Sequence, residues 1–448
     1  MQSSSKYKLI TAKPINARFE DFKLNEITSE GQLMSINSKY IASLWEGAGA
    51  CISVLDKTKP HRVAHDIPLI SAHLQNVSDV RFSPFIPNLL STSSDDGTVK
   101  LWQIPAEGLT KDMENPVQKY AEHSKKVVLS VYHPCSSDII ASCSFDNSIH
   151  VWNIENGKTY CKAETGDVMS SLDWNYNGSL LGTITKEKMA YVIDPRQSKV
   201  TIKTSAHEGG KTQKMLWVDK DFFITTGFGK GNVREIKLFD IRIPTSAVST
   251  LELDHQTGIM YPWYDYDSGV ICIPSKGEAI IQFYGYSNGS IAKLNEYKAT
   301  DRPKSFAFSE KRFGDYQHNE MSMMYRYKDN NLTFLSVYVP RKGGEFDPAL
   351  WPDTFAGESS ISGDDWAKGE NKEKILKNIK EVAGKGESAK VSIVKKESKV
   401  VEDPLDVQVK KLKEEVAFLK SEIVKKDEIN SQLRKEIDNL KDLLNKKK

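Results

Sequence analysis

Cysteine is scarce and scattered in this 448-residue chain, an odd set of five at Cys51, Cys135, Cys143, Cys161 and Cys272 with no C-x-x-C pair. This excludes a disulfide framework and a thiolate zinc site, and fits a reducing compartment. Long apolar runs are missing too: no stretch approaches the ~20 residues a membrane helix needs, and residues 1–14 carry no apolar signal segment. The expectation is a soluble, non-secreted protein with no integral membrane association. An excess of one charge is also lacking, with 62 basic against 60 acidic residues and a net charge of +2. No overall field therefore argues for a nucleic-acid partner. Helical periodicity is absent up to about residue 340.

What is present is repetition. His73, Ser94, Asp96 and Trp102 recur as His123, Ser144, Asp146 and Trp152, with 29 residues from histidine to tryptophan in both copies. Fixed self-similarity at this scale signals a stacked or radial repeat architecture. Weaker units follow through Trp174 and Asn177-Gly178, from His207 through Trp217 to Phe239-Asp240, and from His255 to Phe283-Tyr284. An earlier unit, 33–55, has no recognisable histidine–tryptophan pair. Short alternating runs such as 77–82, 148–154 and 332–339 read as strands between turn signals such as Asp96-Gly97 and Asn288-Gly289. With repeats of ~40 to 45 residues, the stretch from about 30 to 340 predicts an all-β, seven-bladed β-propeller over residues 1–340, its N-terminal strand closing the last blade.

Histidine, serine and aspartate together invite a nucleophile-triad reading. Their recurrence, within a repeat and beside a strand tryptophan, favours hydrogen-bonded locks inside each blade, because buried polar groups must be paired. Gly227-Phe228-Gly229-Lys230-Gly231 resembles a phosphate cradle, but strand-like alternation follows it where a helix is required, so a β-turn is expected. His207 and His255 have no partners at metal-ligand spacing. The chain is read as no enzyme, with no cofactor and no metal.

Basic residues are the better lead. Lys6, Lys8, Lys13, Arg18 and Lys23 enrich the N-terminal arm, while Lys125-Lys126, Lys186, Lys188, Arg196 and Lys211 fall in turns or blade edges. Together they suit an acidic protein surface.

Beyond the repeats, residues 341–376 carry Phe346, Trp351, Phe355 and Trp366, too many aromatics to leave in water, and are expected to pack on the propeller. Residues 377–403 read as a flexible linker rich in Lys, Glu, Ser, Val and Gly. Over 404–448 a seven-residue repeat places Leu412, Val416, Leu419, Ile423, Asn430, Leu433, Ile437 and Leu440 on one seam, which predicts an α-helical coiled coil. β-branched residues at a, leucine at d and Asn430 at a favour a parallel dimer, with a trimer as the alternative. Either would gather several propellers at one end of a rod.

The order of these features resembles the coronin family of WD-repeat proteins over nearly the whole chain. The resemblance is carried by Ser5-Lys6-Tyr7-Lys8, Gln103-Ile104-Pro105, Ile193-Asp194-Pro195-Arg196, Ala206-His207-Glu208-Gly209 and Thr226-Gly227-Phe228. Its most specific string is Val339-Pro340-Arg341-Lys342, then Phe346 and Trp351-Pro352-Asp353-Thr354, directly after the propeller. The resemblance implies binding to filamentous actin through the propeller, with Lys23 at the family's important basic position, where arginine is usual, and Lys6 and Lys8 as further contacts. It also implies contact with the branched-actin nucleating complex, cooperation with cofilin in filament turnover, and a place in the cytoplasm at the actin cytoskeleton and cell cortex. The competing reading is a scaffold or adaptor in trafficking or protein turnover.

Overall fold

The computed structural model describes residues 4–27, 29–47 and 50–383. Seven four-stranded antiparallel sheets follow one another along the chain, a seven-bladed β-propeller. Blades one to six span 34–73, 77–120, 127–164, 169–205, 214–252 and 263–298. Three strands of blade seven come from 305–338, and the fourth is the N-terminal strand Thr11–Glu20. That strand pairs antiparallel with Asn331–Tyr338, from Thr11 opposite Tyr338 to Glu20 opposite Asn331, with a bulge between Ile15 and Arg18. The ring is closed by hydrogen bonds rather than by consecutive chain.

Two faces follow from the up-and-down course of each blade. The turn between its second and third strands and the connection to the next blade emerge on one face, called here the turn face. The other two loops and the Thr11 end of the closing strand lie on the opposite face. Inner strands are buried almost throughout, as in Val127–Tyr132, because both sides of each sheet pack on neighbouring blades. Outer strands such as Ser290–Lys298 have no fully buried residue and mix half-buried with exposed positions.

The segment after the last blade crosses the face opposite the turns. Leu350 and Trp351 join Tyr7, Ile10 and Val337 in one core cluster. Ile361 and Trp366 join the cluster of blades three and four. Tyr7 donates its hydroxyl proton to the Leu350 carbonyl at 2.9 Å, and Phe355 meets Phe85 edge-on at 5.5 Å between centroids. The packed extension does not stop at 376. A one-turn helix, Ile379–Val382, is capped by the Asn378 side chain and buries Ile379 and Val382 in the same cluster as Trp351. Packing therefore reaches Ala383, past the start of the linker expected from composition. The rest of that linker and the predicted coil, with Leu412, Val416, Leu419, Ile423, Asn430, Leu433, Ile437 and Leu440, lie outside the described residues.

Candidate functional site

The repeated polar residues form proton-donor chains. Trp102 Nε1 donates to Thr92 Oγ1 at 2.9 Å, the Thr92 hydroxyl lies 2.8 Å from His73 Nε2, and His73 Nδ1 lies 2.9 Å from Asp96 Oδ2. The second copy repeats it with Trp152, Ser142, His123 and Asp146 at 2.8, 2.8 and 3.0 Å. The polarity is self-consistent: indole N–H to hydroxyl, hydroxyl to Nε2, and Nδ1–H to carboxylate, so the imidazole is neutral. Burial pushes the His73 and His123 pKa values down despite their carboxylate partners. Burial would raise Asp96, but hydrogen bonds from His73 and Thr98 outweigh it and hold the carboxyl well below its usual range.

Two expectations need correction here. Ser94 and Ser144 are not members of the chains; each accepts from the backbone N–H of the turn aspartate at 3.1 Å and donates to the carbonyls of Gln75 and Lys125 respectively. The hydroxyl that links histidine to tryptophan belongs to Thr92 or Ser142, on the second strand. Nor does the lock sit inside one blade. His73 ends the last strand of blade one, while Asp96 and Trp102 belong to blade two, so each network ties one blade to the next. A third histidine, His207, meets Glu235 at 2.8 Å between blades four and five. These sets are enclosed, and both ring nitrogens of His73 and of His123 are already paired.

Gly227-Phe228 ends the strand Phe222–Phe228, and the chain turns back into Arg234–Asp240 with Gly231 and Asn232 at positive φ. This is strand–turn–strand geometry without a helix to cradle phosphate. Among the described residues no cluster of three or more His, Cys, Asp or Glu has the geometry for a metal ion, and no helix is long and apolar enough to cross a membrane.

The basic candidates divide between the faces. Lys6 donates to the Ala349 carbonyl at 2.8 Å and its own carbonyl accepts from Arg341, which fastens the N-terminus to the extension. Lys8 is exposed nearby. Lys23 lies past the other end of the closing strand, on the turn face, where its carbonyl accepts from Glu46 N at 2.9 Å. Ten strand residues at about 3.3 Å each separate Lys8 from Lys23, so the three lysines do not form one patch. Arg196 is also on the far face, stacked over Trp366 at 5.4 Å and hydrogen-bonded to Asn371 at 3.0 Å.

The turn face nevertheless carries a basic surface around blades two to five. Half-buried Phe145 is flanked by the ammonium groups of Lys126 and Lys186, 4.1 and 4.7 Å from its ring centroid. Lys125 is exposed beside them, and Leu74, just after His73, is 94% exposed. Lys211 lies 4.8 Å over Phe228 and donates to the Thr257 carbonyl. Two exposed cations against one aromatic ring make an amphipathic surface suited to carboxylates. The lysines were legible as turn residues; Phe145 was not, since a single aromatic after Ser144 has no signal until the turns of blades three and four meet.

Four segments match three described families: residues 1–62 a domain of unknown function (DUF1899), 66–103 and 114–153 the WD domain, G-beta repeat, and 333–374 a type of WD40 repeat. The match to 333–374 takes in the last strand and most of the extension. The WD40 domain of a Toxoplasma gondii coronin superposes with a TM-score of 0.80 at 29% identity, covering 83% of this chain and 97% of that one. Coronin-like protein crn1 of Schizosaccharomyces pombe is 29% identical over 379 residues, 82% of this chain but only 63% of that protein's length. Coronin-A of Dictyostelium discoideum is 30% identical over 434 residues, 95% of this chain and 97% of its own. With that agreement running through propeller and extension alike, the chain belongs to the coronin family.

Proposed function

We propose that this protein binds filamentous actin through the turn face of its propeller and acts as a non-enzymatic regulator of the cytoskeleton. In this reading it organises filaments at the cell cortex, acts on the branched-actin nucleating complex and assists filament turnover with cofilin. The observation that carries the reading is the basic, aromatic-centred surface of Phe145, Lys126 and Lys186, with exposed Lys125 and Leu74 close by. Lys23 shares that face, and its ammonium makes no ion pair or hydrogen bond among the described residues. Exposed lysines without carboxylate partners steer an acidic surface toward them and lose little on desolvation when paired. An apolar centre suits a protein partner better than a bare polyanion. Oligomerisation through 404–448, a dimer in this proposal, would let one assembly engage neighbouring filament subunits and raise avidity without new contacts.

Co-sedimentation with actin filaments at low salt tests this. Lys126→Glu with Lys186→Glu, and separately Lys23→Glu, are expected to weaken pelleting at least fivefold at an unchanged melting temperature. Lys8→Glu, on the far face, should leave it within twofold. A full-length chain that stays in the supernatant would discard the actin reading in favour of a scaffold or adaptor in trafficking or protein turnover.

A further inference from the structure

The seven inner strands surround a central channel of about 440 Å³, within the range of small-ligand sites. Its charges are unevenly matched at the end nearest the turn face. Lys214 is saturated: its ammonium donates to the Glu30 carboxylate at 2.8 Å, to the Glu30 carbonyl at 2.9 Å and to the Ser170 carbonyl at 2.8 Å. Arg81, also lining the channel, is paired with Asp79 at 3.0 Å. Lys276 is different. It reaches in from the turn between the second and third strands of blade six, and among the described residues its ammonium has neither a carboxylate nor a hydrogen-bond acceptor. Its one partner is the face of Tyr261, 4.6 Å from the ring centroid, with Lys214 5.3 Å from the same centroid.

Two ammonium groups thus crowd one tyrosine ring, while the Glu30 carboxylate is bonded to Lys214. The mouth is left with a single uncompensated positive charge. Burial first, and the Lys214 ammonium second, push the Lys276 pKa down to about 8, so the site holds its charge at a cost that an anion would relieve. The cation–π contact offsets only part of that cost. Beyond the lysines the wall turns apolar, with Trp263 and Phe306, the latter edge-on to Tyr261 at 5.7 Å.

We infer that the channel mouth is a binding site for one carboxylate carried on an apolar stem, received by Lys276 against Tyr261. A dianion would face Glu30 and exceed the free charge, so a phosphate group fits less well. The carboxylate has two sources: a small organic acid, or the acidic side chain of a peptide whose neighbours rest on the aromatic wall. The site is separate from Phe145, and its test uses no filaments, so either reading can fail alone.

Isothermal titration of the full chain at pH 7 decides it, with 4-phenylbutanoate as one probe. The other is an end-blocked pentapeptide bearing one glutamate between phenylalanines. Saturable one-to-one binding is expected, weakened at least fivefold by Lys276→Met and, with the unaltered protein, by exchanging the peptide's glutamate for glutamine. A peptide bound at least fivefold tighter than the free acid assigns a peptide occupant; a smaller difference assigns the acid. No saturable binding of either probe, or less than fivefold weakening in both controls, overturns the inference.

Discussion

Thr92 shows how much a single hydroxyl can hold. It takes the indole proton of Trp102 and gives its own to His73, so Thr92→Val would strand two buried polar groups at once. At about 1–3 kcal/mol for each unsatisfied group, the expected loss in urea unfolding is about 2–6 kcal/mol. Ser94→Ala removes an acceptor from one turn N–H and a 3.3 Å bond to the Gln75 carbonyl, an expected loss of about 1 kcal/mol. A reversed order would mean that the turn, not the chain of donors, holds the blades together. This ranking could not be read from the repeat. Ser94 and Ser144 are identical in both copies and draw the eye, whereas the linking position is threonine in one and serine in the other. Literal matching hides it, although both residues present the same hydroxyl.

At the scale of elements, the extension is held most firmly where Trp366 lands. Its Nε1 donates to the Gly178 carbonyl at 2.8 Å, and its ring meets those of His133 and Trp174 at 5.6 and 5.8 Å. Gly178 sits at φ +72°, and a Cβ there would collide with the His133 ring, so glycine is required for both neighbours to reach one carbonyl. Trp366→Ala should cost about 3–5 kcal/mol of local stability. Faster amide exchange over 356–370 is expected, with protection in the strands of blade three retained. Unchanged exchange in the extension would show that Leu350 and Trp351 hold it alone. The aromatic content of 341–376 was legible as a demand for burial. The helix Ile379–Val382 was not: it is one turn long, and its two apolar residues stand among lysines and glutamates that suggest a solvated linker. Blade seven was equally opaque in detail, because Glu320–Lys328 and Asn331–Tyr338 contain no His–Asp–Trp set, and the channel lysines come together from a strand and a turn far apart in sequence.

For the whole molecule, buried imidazoles set a direction for acid stability. His133 Nδ1 accepts from the N–H groups of Cys135 and Ser136, and Nε2–H donates to the Gly178 carbonyl. A second proton would have to displace two donors. Burial above all, with the positive charges of Arg196 and Lys374 adding to it, pushes its pKa down to about 3. His150 is pushed down to about 4, by burial and then by His123. The unfolded chain takes up these protons near pH 6.5 and the folded one does not, so the stability these imidazoles contribute is complete above that pH and declines below it. His133 alone accounts for about 2 kcal/mol between pH 7 and pH 5. Buried Asp173 and Asp267, pushed up to about 6, work in the opposite direction below that pH. The test is therefore a difference: the change in melting temperature from pH 7 to pH 5 should be less destabilising for His133→Gln than for the unaltered protein, and identical changes would refute the neutral-imidazole assignment.

The strand that closes the ring has a consequence for biosynthesis. Thr11–Glu20 leaves the ribosome before every other strand of the propeller, yet its partner Asn331–Tyr338 follows about 320 residues later. At roughly 5–20 residues per second, that is a wait of about 16 to 64 seconds. During it the nascent protein is an open fan with one orphan ribbon and one bare sheet edge, the state in which a chaperone has most to shield and a neighbouring polysome most opportunity to exchange strands.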